Sequence, residues 1–289
     1  MSSINKAILE SACQIANEIQ ANAIVVYSSL ASDLPACLGE SSQIKLVLVS
    51  REEEEIPSDL LSAAKILTIP NVNLTRIGQI KIAIIKGIAI GLFKKGDKLV
   101  CLSGVPRFGY VDSLFILDVG KEFEFLTSEN ITDITEAVYP EVFGAVLNIS
   151  LELAAQGREG RKVGTTFVLG DHEKVMQMSR QMIINPFMGY TEEERNILNP
   201  ELKETIKEFS AIDGAFIIKD NGAIVTAGRH LNASLESKDF PQGLGSRHIA
   251  AAGITSISSA VAMVLSESTG NISVFKNGKI FVSVEKPII

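Results

Sequence analysis

Three short runs in the C-terminal half combine residue types suited to phosphate and metal chemistry. They are Asp213-Gly214-Ala215, Gly245-Ser246-Arg247-His248 and Ser266-Glu267. The second run follows Gly243-Leu244, so it opens on a Gly-x-Gly-Ser loop whose backbone can approach a ligand closely. Ser246 is a plausible N-cap, with a short Ala-rich helix predicted over 247–254. A helix start directs unpaired N–H groups and the positive dipole end outward, which suits an anion. Arg247 and His248 add charge and donors at that point. Asp213 and Glu267 are hard oxygen ligands of the kind that hold Mg²⁺ or Mn²⁺ together with substrate phosphates. Phosphates plus a divalent metal point to a nucleoside triphosphate.

Each residue also has a plainer reading. Asp213, beside a glycine, is otherwise a turn residue accepting backbone hydrogen bonds. Arg247 is otherwise a solvated surface charge, yet a cation at a helix N-terminus breaks the dipole rule, and such breaches mark functional sites. His248 is one of three histidines, and a lone histidine is more often structural. Glu267 is otherwise an exposed loop acid. Leu231 and Leu244 are core residues by default and candidates to flank a purine. Beside the other two runs, the functional reading of Asp213, Arg247, His248 and Glu267 is favoured: Asp213 as metal ligand and general base, Arg247 and His248 as phosphate donors, and His248 and Glu267 as metal ligands.

The elements that must position these residues follow from local patterns. Ala215 to Ile218, the turn Lys219-Asp220-Asn221-Gly222 and a strand over 223–227 read as a hairpin. A buried strand is expected over 261–265, delivering Ser266 and Glu267 at its carboxyl end. A second hairpin surrounds Lys276-Asn277-Gly278-Lys279. Upstream, helices are expected over 141–156, 171–181 and 202–209, with Pro140 interrupting the first pattern and Gly157 ending it. A strand is expected over 165–169.

The N-terminal half alternates helices with apolar runs. Strands are expected over 23–27, 44–49, 65–69, 98–103 and 115–119, and helices over 4–20, 28–38, 60–65 and 74–93. This predicts a small α/β domain with a mainly parallel sheet. A boundary is expected near Leu126, giving an N-terminal domain over 1–126 and a C-terminal domain over 127–289 with a mixed sheet flanked by helices.

Composition narrows the function. The chain has 289 residues, 46% hydrophobic and 21% charged, with a net charge of −7. An acidic body argues against nucleic acid as a partner. Cys13, Cys37 and Cys101 lack metal or redox spacing, so free buried thiols in a reducing cytoplasm are expected. No signal peptide is recognisable. The most apolar stretch, 80–93, is short and carries Lys81 and Lys86, so no membrane span is expected. Neither a Walker loop nor a dinucleotide-binding glycine fingerprint is present.

The three runs, in this order, resemble the diadenylate cyclase (DAC) family. Its marks are Asp-Gly-Ala, Gly-Thr-Arg-His-Arg and Ser-Glu-Glu-Thr-Gly. They stand here as Asp213-Gly214-Ala215, Gly245-Ser246-Arg247-His248-Ile249 and Ser266-Glu267-Ser268-Thr269-Gly270. The run 156–165, Gln-Gly-Arg-Glu-Gly-Arg-Lys-Val-Gly-Thr, is similar to the entry of the family's catalytic domain. Ile249 and Ser268 depart from the pattern, and Ile249 removes a phosphate-facing cation. The resemblance covers about the C-terminal half, and the overall layout, a soluble N-terminal domain before such a catalytic domain, is similar to the archaeal branch of the family. The N-terminal half resembles, at fold level, the C-terminal domain of pyruvate kinase, without that enzyme's chemistry.

The resemblance implies a metal-dependent cytoplasmic nucleotidyltransferase that condenses two ATP into cyclic di-AMP and releases two pyrophosphates. It implies two copies meeting face to face; many bacterial relatives carry membrane helices, whereas this chain looks like a soluble version with no membrane partner. It implies ATP contacts from Gly214, Ala215, Leu231, Gly245, Ser246, Arg247, His248, Ser266 and Glu267. The rival expectation, raised by Ile249 and Ser268, is a sensor or scaffold that binds ATP or cyclic di-AMP without turnover.

Overall fold

The computed structural model describes residues 3–30, 44–52, 56, 58–104, 109–121, 136–232 and 245–287. The chain divides into two compact units, 1–129 and 130–287. The boundary expected near Leu126 lies outside the described residues, as do Cys37, Gly243 and Leu244.

In the first unit, helix α1 (Ser3–Glu18) leads to β1 (Ala23–Tyr27), then β2 (Lys45–Arg51). Helix α2 (Ser58–Ala63), β3 (Ala64–Ile69), α3 (Arg76–Ala89), β4 (Lys98–Ser103) and β5 (Ser113–Asp118) complete it. The sheet order is β3-β2-β1-β4-β5. All pairings are parallel except β4 with β5, so the expected mainly parallel α/β sheet is present. A parallel strand covered on both faces needs an unbroken apolar run, and β1 is buried throughout. Within the range expected as a helix over 28–38, residues 28–30 form a 3-10 turn and the remainder lies outside the described residues.

The buried stripe of α1 runs through Leu9, Ala12, Cys13 and Ala16, while Ile8, Ile15 and Ile19 are only half-buried. Small side chains let the helix approach the sheet closely, so the larger isoleucines flank the contact. Cys13 is disulfide-bonded, so it is not the free thiol expected. Cys101 is free and buried, and burial pushes its thiol up to about 12.

The second unit begins with α4 (Pro140–Gln156), β6 (Thr165–Leu169), α5 (His172–Gln177) and β7 (Ser179–Gln181). It continues with α6 (Lys203–Phe209), β8 (Ala215–Ile218), β9 (Ile224–Leu231) and α7 (Ser246–Ile257). Strands β10 (Val261–Leu265), β11 (Ile272–Lys276) and β12 (Lys279–Val284) close it. The seven-stranded sheet runs β12-β11-β10-β6-β8-β9-β7 and is mixed, with β6 and β8 parallel and their outer neighbours antiparallel.

Pro140 starts α4 at its first turn rather than interrupting it; proline lacks only an N–H that has no partner there. Gly157 ends the helix with φ 64°. The helix expected over 171–181 stops at Gln177, because residues 179–181 pair with β9 as an edge strand. Both expected hairpins are present, with Asn277 and Gly278 at φ 51° and 76° supplying the left-handed turn. Strand β10 shows the layering. Ala262 and Val264 join the core under α7. Met263 turns to the other face, where Ser150 of α4 donates to its sulfur at 3.4 Å.

Candidate active site

Helix α7 positions the site. Gly245 is its N-cap, with φ −71° and ψ 169°, and Ser246 is the first helical residue rather than the cap. Glycine has no side chain to cap the first turn; the His248 N–H donates to the Gly245 carbonyl at 3.0 Å, which leaves the Ser246 and Arg247 N–H groups at the helix start. The antiparallel register of β10 with β6 sets Leu265 opposite Thr165, and this brings the residues after β10 beside those before β6. Residue 213 precedes β8, the parallel neighbour of β6. Three distant segments therefore end at the N-terminus of α7.

Arg247 joins them. Its Nη2 lies 3.4 Å from Asp213 Oδ1 and its Nη1 lies 3.2 Å from Glu267 Oε2. Asp213 is 80% exposed at its side chain and Glu267 60%, so both carboxylates stand at the surface with capacity to spare. The Gly214 N–H donates to Asp213 Oδ1 at 3.0 Å. Gly214 itself has φ +110°, and a Cβ there would lie 2.7 Å from the Arg229 backbone nitrogen. This is one position where only glycine fits.

His248 is buried, with its ring edge against Phe275 at 5.9 Å between centroids. Burial, then the neighbouring Arg247 charge, holds its pKa below the ordinary histidine value. It is thus a neutral imidazole near pH 7. Among the described residues no three histidine, cysteine or acidic side chains gather as a metal cluster. Asp213 and Glu267 converge on one guanidinium, whereas His248 does not join them as a third ligand.

Two cavities flank α7's start. One, of about 200 Å³, is lined by Asp213, Gly214, Ala215, Leu231 and Arg229. The other, of about 850 Å³, is lined by Arg161, Lys162, His248, Ser266 and Glu267. Ser246 and Arg247 line both. Leu231 is the last residue of β9, not a residue after it, and it is both core and cavity wall.

The sequence reading gave no individual role to four positions, three of them within the run 156–165. Gly164 packs so closely that a Cβ would meet the Glu267 Cβ at 2.7 Å and Arg247 Nη1 at 2.8 Å; a glycine just before a strand was the available signal. Arg161 and Lys162 line the larger cavity. Arg229 is buried and donates to Ser179 Oγ at 2.8 Å, Ser179 O at 2.6 Å and Met176 O at 2.9 Å. It ties edge strand β7 and the end of α5 to the wall of the smaller cavity.

Residues 152–280 match the family model described as DisA bacterial checkpoint controller nucleotide-binding, called DAC. Residues 5–127 match the model described as probable sensor domain DacZ_P. A diadenylate cyclase of Methanocaldococcus jannaschii is 37% identical over 198 residues, covering 68% of this chain and 63% of that one. A diadenylate cyclase of Haloferax volcanii is 42% identical over 148 residues, covering 50% of this chain and 53% of that one. The chain thus matches less than two thirds of the length of either relative. Among solved structures, one of DacA from Staphylococcus aureus aligns at 25% identity and a TM-score of 0.34, over 50% of this chain and 88% of that one. Residues 152–280, the segment that matches the DAC family of nucleotide-binding domains, contain all three runs of the site.

Proposed function

We propose that the chain is a diadenylate cyclase: it condenses two ATP into cyclic di-AMP and releases two pyrophosphates. The observation that carries this reading is the meeting of Asp213, Arg247 and Glu267 at the start of α7, between two cavities, inside the segment that matches the DAC model. ATP seats its adenosine in the smaller cavity beside Leu231. Its phosphates pass Arg247 and the N–H groups of Ser246 and its neighbours. Gly214, Ala215, Gly245 and Ser266 complete the walls.

One chain presents one set of these groups, and Asp213 faces solvent. Two copies therefore face each other, each offering the 3′-hydroxyl of its nucleotide to the other's α-phosphorus. Asp213 takes the hydroxyl proton. Arg247 leaves its carboxylate partners to meet the charge that grows on the phosphoryl oxygens, and His248 donates from the wall. Most of the acceleration comes from holding the two nucleotides in line.

Asp213 and Glu267 fit a divalent cation by chemistry and convergence, with phosphate oxygens completing its shell. Such a cation, Mn²⁺ or Mg²⁺, neutralises phosphate charge and eases loss of the hydroxyl proton when bound. Among the described residues no helix is long and apolar enough to cross a membrane. The first unit serves as the sensing part, as the description of the DacZ_P model suggests.

The test is incubation with ATP and Mn²⁺, and separately Mg²⁺, with products read by mass spectrometry beside Asp213→Asn. Cyclic di-AMP from the native chain alone supports the proposal. ATP bound but intact overturns it and favours the second reading, a nucleotide sensor, which the half-buried Ile249 in place of an arginine motivates.

A further inference from the structure

We propose that Arg161 and Lys162 grip the β- and γ-phosphates of ATP and so stabilise the departing pyrophosphate; this rests on the ATP reading above. The larger cavity is the place to look, because it is far roomier than the smaller one and carries its own cations. Arg161 and Lys162 are exposed and line it together with Ser246 and Glu267. Lys162 Nζ donates to the carbonyl of Ser268, another residue of its lining, at 3.2 Å.

The route between the cavities dictates the assignment. Ser246 and Arg247 line both, so a nucleotide with its ribose beside Asp213 must carry its phosphates past Arg247. The outer phosphates then enter the larger cavity. Four negative charges on ATP need a local cationic island on a body of net charge −7. Ile249 offers no charge there. Arg161 and Lys162 come from another segment, the turn after α4, and supply two. That turn is itself held: the Arg158 and Arg161 backbones exchange hydrogen bonds of 2.9 and 2.8 Å, and the Arg158 side chain binds Glu204 and Glu208 on α6. The cations are thereby presented from a fixed support.

In the step, the 3′-oxygen bonds to the α-phosphorus and the bond from that phosphorus to the bridging oxygen breaks. The electron pair leaves with pyrophosphate, and the hydroxyl proton goes to Asp213. Arg161 and Lys162 neutralise the charge arriving on the leaving group.

The experiment compares binding of 3′-deoxy-ATP and 3′-deoxy-AMP by calorimetry, because neither can react. The native chain is expected to bind the triphosphate about 100-fold more tightly. Arg161→Ala and Lys162→Ala are each expected to narrow that ratio about 10-fold, with affinity for the monophosphate unchanged. Lys162→Arg is expected to keep most of it. An unchanged ratio in the double variant overturns the inference while leaving the ATP reading intact. Failure of the native chain to bind either nucleotide overturns that reading, and the inference with it. Both side chains are exposed, and unfolding curves of the variants check that the fold is retained.

Discussion

The guanidinium of Arg247 sits 3.4 Å from Asp213 and 3.2 Å from Glu267, across 34 and 20 residues of chain. One cation thus bridges two surface carboxylates that come from separate segments of the chain. Converting Arg247 to Gln is expected to lower kcat/KM by about 10²-fold or more, since in the proposed reaction its charge meets the reacting phosphoryl group. Steady-state kinetics of cyclic di-AMP formation measure this, and a Glu267→Gln variant separates the two contacts.

Asp213→Asn is expected to cut turnover by about 10²–10⁴-fold while leaving thermal stability close to native. The side chain is 80% exposed and packs against little. Product formation, read beside a melting curve, checks both halves of the expectation.

Gly164→Ala tests the close approach behind the site. The added methyl must displace the Glu267 side chain or Arg247 Nη1, which lie 2.7 and 2.8 Å from its position. Activity is expected to fall about 10-fold or more through misplacement of those groups. Gly214→Ala differs, because backbone atoms block its methyl and its φ is +110°. That variant is expected to lose about 1–3 kcal/mol of stability, measured by urea unfolding.

His248 links stability to pH. Its folded pKa is depressed by burial first and by Arg247 second. The unfolded chain therefore takes up its proton first as pH falls. The contribution is fully present above the ordinary histidine value of about 6.5 and is lost as pH falls from there through the folded pKa. Unfolding midpoints measured at pH 7.5 and at pH 5 are expected to fall more in the native chain than in His248→Asn.

Glu152 is buried on α4 and meets Lys203 and Lys207 of α6, both at 2.5 Å. Removing its charge leaves the buried Lys207, among the described residues, with the exposed Glu204 as its charged partner. Glu152→Gln is expected to cost about 3 kcal/mol, by chemical denaturation. Any loss of activity in that variant reports on the support that α4 and α6 give to the turn carrying Arg161.

What the residues determined alone were the local matters. The Asn-Gly turns, the apolar run of β10 and the glycine stop of α4 each follow from backbone sterics or period within a few neighbours. So did the chemistry of the site, because Asp213, Arg247 and Glu267 are legible as carboxylates and a cation beside glycines. Local pattern failed where a distant partner decided. Residues 179–181 carry a helical pattern but pair with the end of β9. Ser246 has the chemistry of a cap, yet the backbone turns at Gly245. Only the tertiary structure could show that Arg247 closes on both carboxylates, that Gly164 admits them, and that Arg161 and Lys162 share a cavity with them. Those relations depend on sheet order and register, and these are set by which faces bury together across the whole unit rather than by any short stretch of chain.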